Sequence, residues 1–227
     1  MAELAGRRVV VTGASGALGT GVVTMLLARG ATVHAPLFEA EWKGDPRVLA
    51  THVGSLDDEG KLTAYYAALP ALWASIHLVG GFAMAKLADT SLADFEKQWR
   101  QNTVTCFLAC REAVRAIRRT GAAGGRIVNV AARPALTPAG GMIAYTASKA
   151  GVAALTQSLA VELLPESILV NAVVPSVIDS PANRASMPKA NHDAWPKPAE
   201  IAEAIAFLAS PANALTTGTL LPVYGHA

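Results

Sequence analysis

The chain has 227 residues, of which 52% are hydrophobic and 16% charged, and its formal net charge is +2. Gly, Pro and charged residues interrupt every apolar run before the roughly 20 residues that a membrane span needs. The sequence also lacks a long basic tract or an aromatic platform suited to nucleic acid. Because residues 1–8 carry no signal-peptide pattern, we expect one cytoplasmic catalytic domain over residues 1–227, without membrane or nucleic-acid partners.

Strand-like apolar runs alternate with amphipathic helical stretches along the chain, which is typical of parallel strands joined by helical crossovers. The predicted strands are 8–12, 31–35, 47–53, 74–79, 126–131, 168–174 and 219–223. The predicted helices are 17–29, 59–69, 92–119 with a break, 143–164 and 199–209. Several strands are apolar without alternation, as expected when both faces are covered. The pattern predicts an α/β, doubly wound Rossmann-type fold with a seven-stranded parallel sheet.

Two further features stand out along the chain. Residues 175–198 form a long irregular segment with four prolines after Pro175, and such segments in compact domains are usually functional, so we predict a substrate lid. Cys106 and Cys110 lie four positions apart in a helical stretch, which places them on one face. This spacing is neither a disulfide framework nor a zinc pattern, so we predict reduced core thiols and no metal site.

A glycine-rich turn follows the first predicted strand and opens the first helix. Gly13 permits a tight turn, Gly16 lets the backbone approach a pyrophosphate, and Gly19 allows close packing of helix on strand. The helix N-terminus adds N–H groups and a partial positive charge. We predict that dinucleotide phosphates bind here, although three glycines alone are also consistent with a plain turn.

Tyr145 and Lys149 lie near the start of the helix that follows the fifth predicted strand. Their i, i+4 spacing puts the phenol and the ammonium on one helix face. A free tyrosine has a pKa near 10, and a nearby positive charge is expected to lower it and ease proton exchange. On its own such a pair is more often part of an exposed surface, so the spacing alone leaves its role open.

These motifs together resemble the short-chain dehydrogenase/reductase family over nearly the whole chain. Ala17 departs from the family's Thr-Gly-x-x-x-Gly-x-Gly motif, since Gly16 comes one position before the expected middle glycine. The resemblance implies a hydride transfer between a nicotinamide and a small substrate, with Tyr145 and Lys149 as the catalytic pair. It also implies that Lys149 binds the nicotinamide ribose and that Asn102 orders a water in the proton relay, an ordinary polar helix residue being the alternative for Asn102.

The resemblance extends to the rest of the cofactor site. Gly80 and Gly81 match a glycine segment beside the cofactor, and residues 175–180 match a segment whose Ile178 backbone and Ser180 hydroxyl would contact the nicotinamide carboxamide. The full set of predicted cofactor-binding residues is Gly13, Ser15, Gly16, Ala17, Leu18, Gly19, Leu37, Ser55, Gly80, Gly81, Tyr145, Lys149, Pro175, Ile178 and Ser180.

The choice between NAD and NADP rests on the residues after the second strand. Leu37 stands where the family usually has an acid for the ribose hydroxyls, and Glu39 is the nearest acid. Neither residues 14–17 nor residues 34–40 include an Arg or Lys that could pair with a 2′-phosphate. Both cofactors therefore stay open, and the pattern leans to NAD.

Ala132 occupies the position of the family's catalytic serine, thirteen residues before Tyr145. A methyl group cannot donate a hydrogen bond to a substrate oxygen, and Thr137, Ser176 or Arg133 are candidates to replace it. The loss is consistent either with a catalytically silent NAD(P)-binding sensor or with an enzyme whose substrate does not need the hydroxyl.

One branch of the family, the dihydropteridine reductases, also lacks this serine. The chain resembles that branch at residues 13–19, 79–82, 141–145 and 179–188, with Trp195 following. The resemblance implies a conjugated acceptor, such as a quinonoid dihydropterin or a quinone. Met187 and Trp195 would then offer contacts to its ring from the lid.

The helices near 103–119 and 143–164 have broader apolar surfaces than one core-facing stripe requires. In the family, these two helices pack against a second subunit. We therefore expect a homodimer or a homotetramer. The apolar residues concerned are Val104, Phe107, Leu108, Val152, Leu155 and Leu159.

Overall fold

The computed structural model describes residues 3–121 and 124–226. Seven strands pair in parallel in one sheet with the order β3-β2-β1-β4-β5-β6-β7, which confirms the predicted Rossmann-type architecture. The strands are β1 Arg8–Thr12, β2 Thr32–Leu37, β3 Leu49–His52, β4 Ala74–His77, β5 Gly125–Val130, β6 Ile168–Pro175 and β7 Leu220–Val223. Because all seven are parallel, their carboxyl ends meet at one edge of the sheet.

Helices cover both faces of the sheet. They are α1 Ala17–Ala28, α2 Glu59–Ala68, α3 Leu92–Trp99, α4 Thr105–Arg118, α5 Ile143–Leu163, α6 Pro181–Ser186 and α7 Pro198–Ala209. Asp58 and Ser91 cap α2 and α3 by accepting backbone N–H bonds, as the preference for such residues at helix starts predicts. Within residues 3–121 and 124–226, the helices are all too short or too polar to cross a membrane.

Two hydrophobic cores lie on opposite sides of the sheet. Val9 and Val11 of β1 belong to the core under α1 and α7, whereas Val10 belongs to the core under α2, α4 and α5. Successive strand side chains point to opposite faces, so an unbroken apolar run supplies both cores. Leu108 and Val152, expected on the subunit-facing surface, are buried in the second of these cores.

The predicted break in the long helix 92–119 is a π-helical stretch, Arg100–Val104, between α3 and α4. Such stretches widen the helix by one residue per turn and are frequent at functional sites. Here the stretch buries Asn102 and Thr103.

The expectation of an irregular segment at 175–198 is wrong in part. It contains α6 and a short 3₁₀ helix, His192–Ala194. The start of α6 carries a local signal, since the Ser180 hydroxyl accepts the Asn183 N–H and Pro181 occupies the first turn.

Candidate active site

The two predicted glycine segments meet between β1 and β4, where the strand order changes direction. Gly13 follows β1 and Gly80 follows β4, and these strands are neighbours in the sheet. A Cβ on Gly13 would lie 3.1 Å from the Val79 backbone nitrogen, so the two loops are in close contact. In open α/β sheets, this switch point is where ligands bind.

The glycines of the first loop differ in what the fold demands of them. Gly13 has a φ of +72°, and a Cβ on Gly19 would lie 2.1 Å from the Gly13 carbonyl oxygen, so the fold itself requires both. Gly16 has an ordinary φ of −72°, and the nearest atom to its hypothetical Cβ is 3.4 Å away. Packing of the loop therefore does not require glycine at position 16. The missing side chain instead leaves open space at the N-terminus of α1.

That space suits a dinucleotide phosphate group. Gly16 is the N-cap of α1 and has no side chain to accept the first N–H groups, those of Ala17 and Leu18 among them. An anion at this position would accept bonds from those groups and be stabilised by the positive end of α1. The residues present therefore fit the pyrophosphate of a nicotinamide dinucleotide.

A cavity of about 630 Å³ lies beside this loop, and Ser15, Glu39, Trp42, Lys43 and Asp45 are among its lining residues. The Ser15 hydroxyl donates to the Glu39 carboxylate at 3.3 Å. The cavity leads from the phosphate loop toward the residues that follow β2, the region that holds the adenosine ribose in Rossmann folds.

The structure does not place Leu37 and Ser55 at this cavity. Leu37 is 3% exposed and packs in the core, where its carbonyl accepts the N–H groups of Val53 and Gly54. The Ser55 hydroxyl donates to Asp57 at the start of the next loop. Glu39, two residues after Leu37, is among the acids that line the cavity, because the chain leaves the sheet only after Leu37.

Tyr145 and Lys149 lie on the first turns of α5. The Lys149 ammonium donates to the Val130 carbonyl at the end of β5 at 2.9 Å, and the Tyr145 ring meets the edge of Phe82 with centroids 4.8 Å apart. Burial raises the pKa of Tyr145 to about 12 and lowers the pKa of Lys149 to about 8. The expected lowering of the tyrosine pKa is wrong for the protein alone, because loss of solvation at the phenol dominates.

Asn102 connects the glycine segment after β4 to the catalytic helix. Its Oδ1 accepts the Gly81 N–H at 3.1 Å, and its Nδ2 donates to the Gly81 carbonyl at 3.0 Å and to the Ser148 hydroxyl at 3.0 Å. The Ser148 hydroxyl in turn donates to the Tyr145 carbonyl at 2.8 Å. The Asn102 amide therefore holds the Gly81 loop against the helix that carries Tyr145 and Lys149.

Gly80 fits closely into the same arrangement. A Cβ there would lie 2.5 Å from Asn102 Oδ1 and 3.1 Å from Lys149 Nζ. The structure thus brings together four of the predicted residues, Gly80, Gly81, Asn102 and Lys149. Ser148 was not predicted, although it stands directly before Lys149 in the sequence.

Ala132 is 7% exposed and lies in extended backbone just beyond β5. Of the three residues considered as replacement donors, Ser176 already donates its hydroxyl hydrogen to the Tyr224 carbonyl at 2.8 Å. The Arg133 guanidinium lies over the Tyr224 ring, 5.0 Å from its centroid, and Thr137 is exposed. The strand end therefore presents a methyl group where the family has a hydroxyl.

The residues predicted to meet the nicotinamide carboxamide anchor α6. Pro175 ends β6, the Ile178 carbonyl accepts the Asn183 amide at 2.8 Å, and the Ser180 hydroxyl accepts the Asn183 N–H. The Ser180 hydroxyl keeps its hydrogen for a further acceptor.

The expected contact surface on Trp195 is wrong. Trp195 is 7% exposed, and its ring packs against His192 with centroids 4.6 Å apart. The Trp195 N–H donates to the His192 carbonyl, and the Ala194 carbonyl accepts the His226 N–H. Met187 remains exposed, so of the two predicted lid contacts only Met187 has a free surface.

Comparisons with known proteins identify the family to which the chain belongs. A family model described as enoyl-(acyl carrier protein) reductase matches residues 13–225. The chain is 29% identical to a 3-beta-hydroxysteroid dehydrogenase of Comamonas testosteroni, over 96% of this chain and 94% of that protein. It is 30% identical to a D-threitol dehydrogenase of Mycolicibacterium smegmatis, over 98% of this chain and 93% of that protein.

Among solved structures, an oxidoreductase of the short-chain dehydrogenase/reductase family from Burkholderia thailandensis is 26% identical. Its TM-score is 0.86, and the superposition covers 96% of this chain and 91% of the Burkholderia protein. The fold, the glycine loop and the Tyr145–Lys149 pair agree with that relationship. The chain therefore belongs to the short-chain dehydrogenase/reductase family of nicotinamide-dependent oxidoreductases.

Proposed function

We propose that this chain is an active reductase of conjugated small molecules, quinonoid dihydropterins first and quinones second. The observation that carries the proposal is Ala132, a buried methyl group just beyond β5, in a chain that retains Tyr145, Lys149 and Asn102. The similarity of residues 79–82 and 179–188 to dihydropteridine reductases favours the same class of acceptor.

The chain's own residues divide the work as follows. A bound nicotinamide dinucleotide supplies the hydride. Tyr145 is protonated at neutral pH, because burial holds its pKa at about 12, and it donates the proton from its phenol oxygen. Lys149 holds the end of β5 against α5 through the Val130 carbonyl and binds ribose hydroxyls, and Asn102 positions the Gly81 loop.

The substrate class follows from the charge that develops during reduction. A simple ketone becomes alkoxide-like at one oxygen, and loss of one hydrogen-bond donor there costs about 3 kcal/mol, or roughly a hundredfold in rate. A quinonoid ring spreads the incoming charge over several atoms and depends less on any single donor. The methyl group of Ala132 therefore penalises simple carbonyls more than conjugated acceptors.

The test compares kcat/KM for a quinonoid dihydropterin, a quinone and simple ketones in wild type and in Ala132→Ser. We expect wild type to prefer the conjugated acceptors, and the new hydroxyl to raise ketone reduction by about tenfold or more while leaving the conjugated reaction nearly unchanged. Ala131→Ser, one position earlier and also buried, is the matched control. A wild-type preference for ketones would refute the substrate class.

We favour NADH as the reductant. Glu39, Glu41 and Asp45 all line the cavity beside the phosphate loop, and their carboxylates would repel a 2′-phosphate. Lys43 is a cation in the same wall, and the nearby Arg47 is paired with Asp45 at 2.6 Å. The assay above, run with NADH and with NADPH, should give the higher kcat/KM with NADH, and the reverse order would contradict this preference.

A catalytically silent NAD(P)-binding sensor is the less favoured function, because Tyr145, Lys149 and Asn102 are all retained. Such a protein would bind the cofactor and turn over no acceptor in the panel.

We also propose a cytoplasmic homodimer or homotetramer and a substrate lid at 175–198. Phe107 on α4 and Val161 on α5 remain exposed, and the helices that carry them supply the subunit contacts of the family. Cys106 and Cys110 are free thiols, which suits a reducing compartment.

A further inference from the structure

A cluster of metal-binding side chains lies in the second core, on the α4 side of the sheet. His77, at the end of β4, and Cys106 and Cys110, on α4, bring one nitrogen and two sulfur atoms within 4.8 Å of one another. All three residues are at most 5% exposed. The Cys110 sulfur is 3.5 Å from His77 Nδ1.

Asn129 of β5 adds a fourth donor atom to this cluster. Its Oδ1 is 2.8 Å from His77 Nδ1 and 3.4 Å from the Cys110 sulfur. Two strands and one helix therefore direct four donor atoms at one point between them. The cofactor and proton-transfer roles described above use none of these four residues.

We propose that His77, Cys106, Cys110 and Asn129 form a structural zinc site. Zinc in structural sites is tetrahedral and is bound mainly by cysteine sulfur and histidine nitrogen. Zn–S and Zn–N bonds of about 2.3 and 2.0–2.1 Å put neighbouring ligand atoms about 3.4–3.8 Å apart. The spacing of Cys110 from His77 already has this value, and the Asn129 oxygen needs to move away from His77 by about 0.6 Å.

Charge favours a divalent ion over a monovalent one at these ligands. Binding moves the His77 ring proton from Nδ1, which now donates to Asn129 Oδ1, to Nε2, which then donates to the Ser75 hydroxyl. Binding also releases both thiol protons to solvent, and two thiolates then balance the two charges of Zn²⁺. The buried site carries no net charge, which avoids the cost of an uncompensated ion in the core. A Cu⁺ ion with the same two thiolates would leave one negative charge there.

The surroundings of the cluster also orient the two ligands that are not thiols. His77 Nε2 lies 2.9 Å from the Ser75 hydroxyl, which is 2.9 Å from the Tyr66 hydroxyl. The Asn129 amide donates to the Thr156 hydroxyl at 2.9 Å. A hydrogen bond from the second ring nitrogen of a ligating histidine is the usual support of a metal site, because it fixes the ring and its tautomer.

Zinc bound here would link the strands and the helix that lie next to the candidate active site. Asn129 directly precedes Val130, whose carbonyl accepts the Lys149 ammonium. His77 ends the strand that leads to Gly80 and Gly81. The metal would therefore join β4, β5 and α4 just below the residues that hold the cofactor, without touching the substrate.

The first experiment measures metal content in wild type purified under reducing conditions without chelating resin. We expect about one zinc ion per chain. After removal of zinc, titration with Co²⁺ should give thiolate-to-cobalt charge transfer and the visible bands of tetrahedral cobalt. Wild type that carries no zinc and gives no such bands with Co²⁺ would overturn the proposal, whatever the variants do.

Variants then assign the ligands. His77→Gln and Cys110→Ser should lose the zinc and the cobalt bands, whereas His34→Gln, at a buried histidine of β2, should keep both. Ser75→Ala, which removes the support of the His77 ring, should weaken zinc binding by about tenfold or more. Retention of full zinc binding in both His77→Gln and Cys110→Ser would also overturn the proposal.

Discussion

At the scale of single residues, burial rather than neighbouring charge sets the proton affinity of Tyr145 and Lys149. Tyr145 and Lys149 are both shifted toward their neutral forms, the phenol upward and the ammonium downward in pKa. Each shift has the sign that loss of solvation gives to an acid or to a base. A phenol that stays protonated at neutral pH is suited to donate a proton, which is the direction that reduction requires.

Tyr145→Phe tests that role directly. The variant keeps the ring that packs against Phe82, so it should fold and bind cofactor as wild type does. Turnover should fall by about 10²-fold or more, within the usual range for general acid catalysis. Cofactor fluorescence titration and steady-state kinetics check the two parts, and wild-type turnover would exclude Tyr145 as the proton donor.

The lowered pKa of Lys149 predicts a specific pH dependence of stability. Between pH of about 8 and 10.5 the unfolded chain holds a proton on Lys149 that the folded chain does not, so the free energy of unfolding should rise with pH. The full effect is about 3 kcal/mol, complete above the unfolded pKa. Denaturant unfolding across this range should show the rise in wild type.

Lys149→Met is the control for this prediction, because it fills similar space without a titrating group. Its unfolding free energy should lack the Lys149 contribution, so the difference between the two proteins should change in favour of wild type as pH increases. A difference that is independent of pH would show that Lys149 titrates normally in the fold.

At the scale of elements, the start of α1 and the π-helical stretch do most to build the site. The π-helical stretch buries Asn102 and lets its amide bond both Gly81 and Ser148. The start of α1 depends on Gly13 and Gly19 for its packing and leaves Gly16 with open space. The two demands on the glycine loop, packing and ligand access, can be separated by substitution.

Gly16→Ala and Gly19→Ala form a matched pair for this purpose. In Gly19→Ala the new Cβ meets the Gly13 backbone oxygen, so we expect a loss of about 1–3 kcal/mol in stability together with weaker cofactor binding. In Gly16→Ala stability should be nearly unchanged, whereas NADH binding should weaken by about tenfold. Thermal unfolding and isothermal titration check both. Unchanged NADH binding in Gly16→Ala would show that the cofactor phosphate does not bind at this loop.

At the scale of the whole molecule, a parallel sheet collects the loops after its strands at one edge and leaves apolar side chains exposed on the outer faces of α4 and α5. Exposed Phe107 lies on α4 and exposed Val161 on α5. Exposed apolar side chains on helices that already cover a core are the kind of surface that a second subunit buries.

Phe107→Glu tests assembly. Phe107 is 45% exposed, so the substitution should spare the core and dissociate the assembly into monomers. Leu215→Glu, at a 91% exposed leucine outside the helices, is the control and should leave the assembly intact. Light scattering at micromolar concentration gives the mass of each protein, and a monomeric wild type would contradict the expected dimer or tetramer.

The sequence by itself determined the fold and the enzyme family, and it predicts Tyr145 and Lys149 as the catalytic pair. Apolar runs without alternation predict buried parallel strands, and the glycine turn and the Tyr145–Lys149 spacing are contained within a few residues each. Such features can be predicted because backbone dihedral freedom and the side-chain periodicity of helices and strands depend on residues that are close in sequence. The start of α6 at Ser180 and Pro181 is an equally local pattern, from which this helix could have been predicted.

Only the tertiary structure decided what depends on neighbours from other elements. The sheet buries Leu37 and leaves Glu39 at the cavity, and Trp195 is buried with its ring against His192. Solvation, and with it the pKa of Tyr145, depends on everything packed around the phenol. The spacing of Cys106 and Cys110 gave no metal pattern, because the other two donor atoms come from β4 and β5, which meet α4 only when the sheet has formed.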